Sequence, residues 1–282
     1  MKISVTSYSF HKYLRDGKYK QADCVHLAKE LGFSGIEFTD ITGECEEERT
    51  ENAKKIRAIA DAAGLPIVAY AVGANLCKTT DWERDEEIRR LCHHVDIAHI
   101  LGAPVMRHDT FFSYGKRSFD QMLPYGVPIA REVTRYAATL GIKTCTENHG
   151  YISQDSDRVE RFFNAVGDDN FGVLVDFGNF LCVDENPLTA VSRLAPYAFH
   201  CHAKDFHRSD EREGCLVTRG ANYIYGATLG TGVVPVKQCL AIMKRNGYDG
   251  YVTLEYEGRD DPMVGIAEGK RNLEKYISEV CG

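Results

Sequence analysis

Apolar side chains follow two alternating rhythms along this chain. One is the i, i+3, i+4 stripe that buries a helix face; the other is a short apolar run closing on polar groups. Leu27, Ala28 and Leu31 lead through Gly32 to Phe33–Phe38, with Glu37 near its end. Ala53, Ile56, Ala60 and Ala63 lead through Gly64 to Leu65–Tyr70, and Ile88, Leu91, Cys92 and Val95 lead through Gly102 to Ala103–Arg107. Ile129, Ala130, Val133, Ala137 and Leu140 precede Gly141 and Ile142–Glu147, and Val159, Phe162, Phe163 and Val166 precede Phe171–Asp176. Leu188, Val191 and Leu194 precede a strand ending His200-Cys201-His202-Ala203-Lys204-Asp205. Val236, Cys239, Leu240 and Met243 precede Gly250 and Tyr251–Glu255. Glycine after a stripe is the expected helix C-cap, because it enters the left-handed region without a Cβ penalty.

With the opening run Ile3–Tyr8, the repeated phrase amounts to eight strands alternating with helices. Strands connected in this way run parallel and close most simply into a (β/α)8 TIM barrel, an α/β fold. No Pro- or Ser-rich linker interrupts the pattern, so residues 1–282 are predicted to form a single domain. A doubly wound open sheet is the other arrangement. Its nucleotide-binding forms carry glycine-rich phosphate loops, and neither GxGxxG nor GxxxxGK occurs here.

Composition adds exclusions. The chain has 44% hydrophobic and 27% charged residues, ordinary for a globular protein, and its net charge of −7 argues against a broad nucleic-acid footprint. No apolar stretch is long enough to span a membrane, and Met1–Thr6 opens on a strand-like run, not on the apolar core of a signal peptide. The ten cysteines show no CxxC spacing, and several fall inside apolar patterns, as Cys145 and Cys239 do. They read as reduced core thiols of a cytoplasmic protein.

In a TIM barrel the chemistry lies where the strands end. The fifth strand ends Cys145-Thr146-Glu147-Asn148-His149-Gly150 and the sixth Val175-Asp176-Phe177-Gly178-Asn179. The seventh ends His202-Ala203-Lys204-Asp205 and the eighth Leu254-Glu255-Tyr256-Glu257. Strand alternation puts His200 and His202 on one face and Cys201 on the other. Four consecutive strands thus offer Glu147, Asp176, His202 and Glu255 at one level. Any one of them is unremarkable at the start of a loop; four at equivalent positions point to one shared divalent ion. Three carboxylates and one imidazole suit Mn2+ first, with Mg2+, Co2+ or Zn2+ as alternatives, and the lack of cysteine argues against a structural zinc site.

As a set, these motifs resemble the xylose isomerase-like TIM barrel superfamily, and within it the sugar phosphate isomerase/epimerase and inosose dehydratase branch. Leu229-Gly230-Thr231-Gly232-Val233-Val234 and Gly247-Tyr248-Asp249-Gly250 are similar to that branch too. The resemblance covers nearly the whole chain. It implies a metal held by Glu147, Asp176, His202 and Glu255, with Glu147 and Glu255 also exchanging protons with the substrate carbon. It further implies substrate contact by Arg208, where such epimerases place an arginine, with a solvated loop arginine as the alternative. Asn179 departs from the pattern, standing where several members carry a substrate-binding histidine. Lys204 reads either as a substrate contact or as an ion-pair partner. His149 and His108 follow the ends of the fifth and fourth strands, as pocket-lining or as core and rim histidines. Trp82 and the run Phe111-Phe112-Ser113-Tyr114 read as loop aromatics that cover a sugar face or simply pack. His93 and His94 read as helix surface.

The expected activity is that of a metal-dependent isomerase or epimerase acting on a ketose or related polyol through an enediolate. A lyase that dehydrates a keto-inositol or related keto-sugar shares the same proton abstraction and is the alternative. An endonuclease of the same superfamily would need a histidine-rich metal cluster, and the second and third strands end without histidine. A non-catalytic binding protein would need no intact ligand set. The expected partner is a small sugar or polyol, with no nucleic acid and no membrane; a homo-oligomer is an open alternative.

Overall fold

A computed structural model describes residues 1–112 and 116–282. Its frame is a closed barrel of eight parallel strands: β1 (Lys2–Thr6), β2 (Ile36–Thr39), β3 (Ile67–Val72), β4 (Val105–His108), β5 (Lys143–Glu147), β6 (Phe171–Asp176), β7 (Ala198–Ala203) and, last in the chain, β11 (Tyr251–Leu254). The barrel closes where β1 pairs with β11, Lys2 beside Tyr251 and Val5 beside Leu254. This bears out the expected fold. The opening strand is shorter than its apolar run, because Ser7–Phe10 turns into a 3-10 helix capped by the Thr6 side chain.

Around the barrel lie α1 (His11–Arg15), α2 (Cys24–Glu30), α3 (Glu46–Ala63), α4 (Asp81–Leu101), α5 (Phe119–Thr139), α6 (Ser156–Val166), α7 (Pro187–Leu194), α8 (Val236–Arg245) and α9 (Pro262–Cys281). The expected glycine caps are present: Gly64 (φ 61°) ends α3 and Gly102 (φ 68°) ends α4. None of the helices among the described residues is long and apolar enough to cross a membrane. All ten cysteines are free thiols, five of them buried, including Cys145 and Cys239.

Strand parity divides the interior into two cores. Outward positions such as Phe38, Tyr70, Met106, Val173 and Cys201 pack against the helices in one continuous apolar cluster. Inward positions form a separate small cluster at the barrel's lower end, where Ala69, Val105, Cys145 and Leu174 meet, with Phe199 against them. Above that plug the inward residues turn polar: Ser4, Glu37, His200 and Thr253, then Arg107, Glu147, Asp176, His202 and Glu255.

Three further strands, β8 (Asp205–Ser209), β9 (Leu216–Val217) and β10 (Tyr223–Ala227), were not expected. They form an antiparallel sheet in the order β8-β10-β9, inserted directly after β7. The glycine motif beyond it is structural: Asp205 accepts from the backbone N–H of Phe206, Gly230, Gly232 and Val234. A Cβ at Gly232 would lie 2.2 Å from Asp205 Oδ1, so only glycine closes this loop.

Candidate metal centre

Asp176, at the end of β6, has a divided carboxylate. Oδ1 accepts from the backbone N–H of Gly178 (2.7 Å) and Asn179 (2.9 Å), which starts the next turn. Oδ2 is buried and has no hydrogen-bond partner. The strand end is pinned from the side by Asn148, whose Nδ2 donates to the Asp176 carbonyl (2.9 Å) and whose Oδ1 accepts from the Asp176 N–H (2.8 Å).

Asp176 sits beside His202 in the register of β6 and β7. Donor atoms of Glu147, Asp176, His202 and Glu255 all lie within 4.8 Å of one another, a spacing able to hold one ion. His202 Nδ1 faces Glu255 Oε2 at 3.0 Å and oxygens of Glu147 and Asp176 at 3.9 Å. Lys204 Nζ lies 3.4 Å from Asp176 Oδ2, 3.1 Å from Glu255 and 3.2 Å from Glu257. Burial pushes the Asp176 carboxyl up to about 7 against the pull of Lys204, with Glu255 and Glu147 adding to the rise. Burial would raise Glu255 too, but Lys204 and His202 outweigh it and hold that carboxyl well down. Three crowded carboxylates and an orphaned buried oxygen fit a bound divalent cation.

Two residues missed by the sequence reading complete the wall. Arg107 Nη2 bonds both Glu147 Oε2 (2.5 Å) and Asp109 Oδ1 (2.7 Å). Asp109 in turn accepts from His149 Nδ1 at 2.8 Å. Burial would raise the Asp109 carboxyl, yet Arg107 and His149 hold it below the usual range. The signal available for both was strand parity, since Arg107 is an inward position of β4.

The expected substrate residues separate. His149 is half-buried and lines a cavity of about 280 Å³ together with Glu147, His202, Glu255, Tyr8, Asp40 and Phe112. Asn179 is buried and donates from Nδ2 to Glu147 Oε1 (2.9 Å), while its Oδ1 accepts from Lys204 (3.1 Å). Lys204 is the ion-pair partner of the carboxylates and does not line the cavity. His108 takes the core alternative and not the substrate contact: β4 runs one residue further than expected, and His108 points outward, where its ring packs 5.8 Å from Phe171. Arg208 takes the solvated alternative, lying exposed on β8 opposite Ile224 and away from the cavity wall.

One helical histidine also differs from expectation, since His94 is buried and its Nδ1 shares a 2.9 Å hydrogen bond with the Tyr70 hydroxyl. Of the loop aromatics, Phe111 is core, Phe112 lines the cavity and Trp82 is exposed at the start of α4; Tyr114 lies outside the described residues.

The chain resembles known proteins along nearly its whole length. Inosose dehydratase of Clostridium beijerinckii is 23% identical over 275 residues, covering 90% of this chain and 88% of that protein. The crystal structure of the IolI protein, which holds a zinc atom, superposes with a TM-score of 0.79 at 16% identity, covering 99% of both chains. The probable 3-DHS dehydratase AsbF of Bacillus anthracis superposes with a TM-score of 0.74 at 18% identity, covering 97% of this chain and 99% of that one. Residues 25–276 match the model of one family, and on that match this protein belongs to the xylose isomerase-like TIM barrels.

Proposed function

We propose that the protein is a metal-dependent lyase that removes water from a neutral keto-polyol, a keto-inositol being the leading candidate. The observation that carries this reading is the asymmetry of the bases around the cavity. Glu147 has both oxygens engaged, Oε1 by Asn179 and Oε2 by Arg107, and is built as a fixed ligand. His149, by contrast, has Nδ1 tied to Asp109 and its other ring nitrogen free to serve the cavity. One oriented imidazole beside an ion site suits elimination better than the paired free carboxylates that two-sided epimerisation requires.

Glu147, Asp176, His202 and Glu255 would hold the ion, which supplies Lewis acidity to a ketone oxygen when bound. His149 Nε2 takes the proton from the carbon beside the ketone, and the C–H electron pair becomes the C=C bond. The hydroxyl on the next carbon leaves with its bonding pair, receives that proton from the imidazolium and departs as water. Burial would lower the His149 pKa, but Asp109 outweighs it, so the imidazolium is stabilised for this return step.

Charge sets the substrate class. Arg107 is the one lysine or arginine among the described residues of the cavity wall, and Asp109 and Glu147 already pair with it. Asp40, Asp109 and Glu257 present carboxylates, which accept from hydroxyls and repel phosphate or carboxylate groups. The names of the dehydratase relatives agree with this reading.

Epimerisation of a ketose is the second reading, supported by Glu147 and Glu255 closing strands β5 and β11, three steps apart around the barrel. Purified protein loaded with Mn2+, Co2+ or Zn2+ should be offered keto-inositols, ketoses and sugar phosphates, with products followed by NMR and mass spectrometry. Loss of one water from a keto-inositol is expected. A product of unchanged mass with one inverted carbon would replace the lyase by the epimerase.

A further inference from the structure

Below the ion site lies a second group of buried polar residues. Glu37, in the middle of β2, is fully buried, and its Oε2 lies 2.9 Å from His202 Nε2 and 3.2 Å from His200 Nε2. His200 Nε2 is also 2.8 Å from Thr253 Oγ1, which is 2.7 Å from Ser4 Oγ. We propose that Glu37 is a positioning residue that holds the His202 ring through Nε2, so that Nδ1 rather than Nε2 serves the centre. The proposal rests on the metal-site reading above for its consequence, though not for its geometry.

A carboxylate only accepts hydrogen bonds, so the 2.9 Å bond to Glu37 takes the Nε2–H of His202. Nδ1 is then the nitrogen turned to Glu255, Glu147 and Asp176, 3.0 Å from Glu255 Oε2, and is the one placed to serve a bound ion. Glu37 therefore makes His202 a committed ligand, not a neutral bystander. A carboxylate behind a liganding histidine also raises its basicity and holds its ring. His200 has no part in the ion site and is anchored by Thr253, so it keeps Glu37 in place from the far side. Burying a carboxylate this deeply is costly, and the two imidazoles on Oε2 offset that cost while Oε1 stays buried without a hydrogen-bond partner among the described residues.

The test has two arms, using the full chain and the variants Glu37→Gln and Glu37→Ala, with thermal unfolding confirming that each folds. In the first arm, histidine ring-nitrogen NMR of metal-free protein reads each His202 nitrogen directly. Wild type should show a hydrogen-bonded N–H at Nε2, and both variants should shift or lose that signal. In the second arm, Co2+ affinity is measured by chelator competition and should fall about 10- to 100-fold in Glu37→Ala. Unchanged ring-nitrogen signals in both variants would overturn the proposal. So would two Co2+ per wild-type chain with one lost in the variants, since Glu37 would then be a ligand of its own site. If wild type bound no Co2+ while the variants still shifted the His202 ring-nitrogen signals, the metal reading would fail and the positioning role would stand.

Discussion

Asn179 holds Glu147: its Nδ2 donates to Glu147 Oε1 at 2.9 Å, and its Oδ1 receives Lys204 at 3.1 Å. A residue expected at the substrate instead connects a ligand to the buried lysine. Asn179→Ala should weaken divalent-ion binding about 10- to 100-fold, as loss of a ligand's supporting bond does. Chelator competition reads this. Full affinity with a raised KM would return Asn179 to substrate binding.

The ligand set predicts about one divalent ion per chain, as for a single four-donor site. Asp176→Asn and His202→Ala should each lose most of it, measured by elemental analysis of dialysed protein. Both variants retaining the full complement would end the assignment of Asp176 and His202 as ligands.

Removing the oriented base should separate chemistry from metal. His149→Gln should lower kcat roughly 10²- to 10⁴-fold, the usual worth of a general acid–base group, with ion content unchanged. Asp109→Asn should reduce kcat less, since it disturbs the orientation of His149 and not its presence. Wild-type turnover in His149→Gln would move the base to Glu255 and revive the epimerase reading.

His94 should make the fold acid-sensitive. Burial holds its imidazole down to about 3, from an ordinary 6.5. Between those values the unfolded chain binds the extra proton and the folded one does not, so stability is full above about pH 6.5 and falls as pH drops towards 3. The slope approaches ~1.4 kcal/mol per pH unit for one such group. His94→Gln, which keeps an acceptor for Tyr70, should show a shallower loss of stability between pH 7 and 5 in urea titrations, and an unaltered slope would remove His94 as its source.

Asn148 ties β5 to β6 through two buried bonds to the Asp176 backbone. Asn148→Ala leaves an N–H and a carbonyl unmet and should cost about 2–4 kcal/mol in denaturant unfolding. A cost below about 1 kcal/mol would mean that water takes over both bonds.

The clustering of Glu147, Asp176, His202 and Glu255 and the barrel were legible because both follow from alternation: two-residue steps along strands align those four side chains once the eight repeats are recognised. Glu37 was passed over because a lone acid within Ile36-Glu37-Phe38 looks like an ordinary strand end, and only the barrel's closure brings it under His202. His108 was left open between pocket and core, and strand parity settles it: continued one residue past the expected end of β4, alternation turns His108 away from inward-facing Arg107. The inserted sheet that carries Arg208 was missed for another reason. Asp205–Ser209 and Leu216–Val217 are short and mixed in polarity, and their pairing depends on partners across a turn.

The apolar plug of Ala69, Val105, Cys145 and Leu174, with Phe199 beneath, gives the barrel a floor. A vessel with a floor has one doorway. Reactant and product must use the same opening in turn, and no second molecule can advance while the first is leaving. Accumulated product should therefore act as a competitive inhibitor, whatever the identity of the substrate.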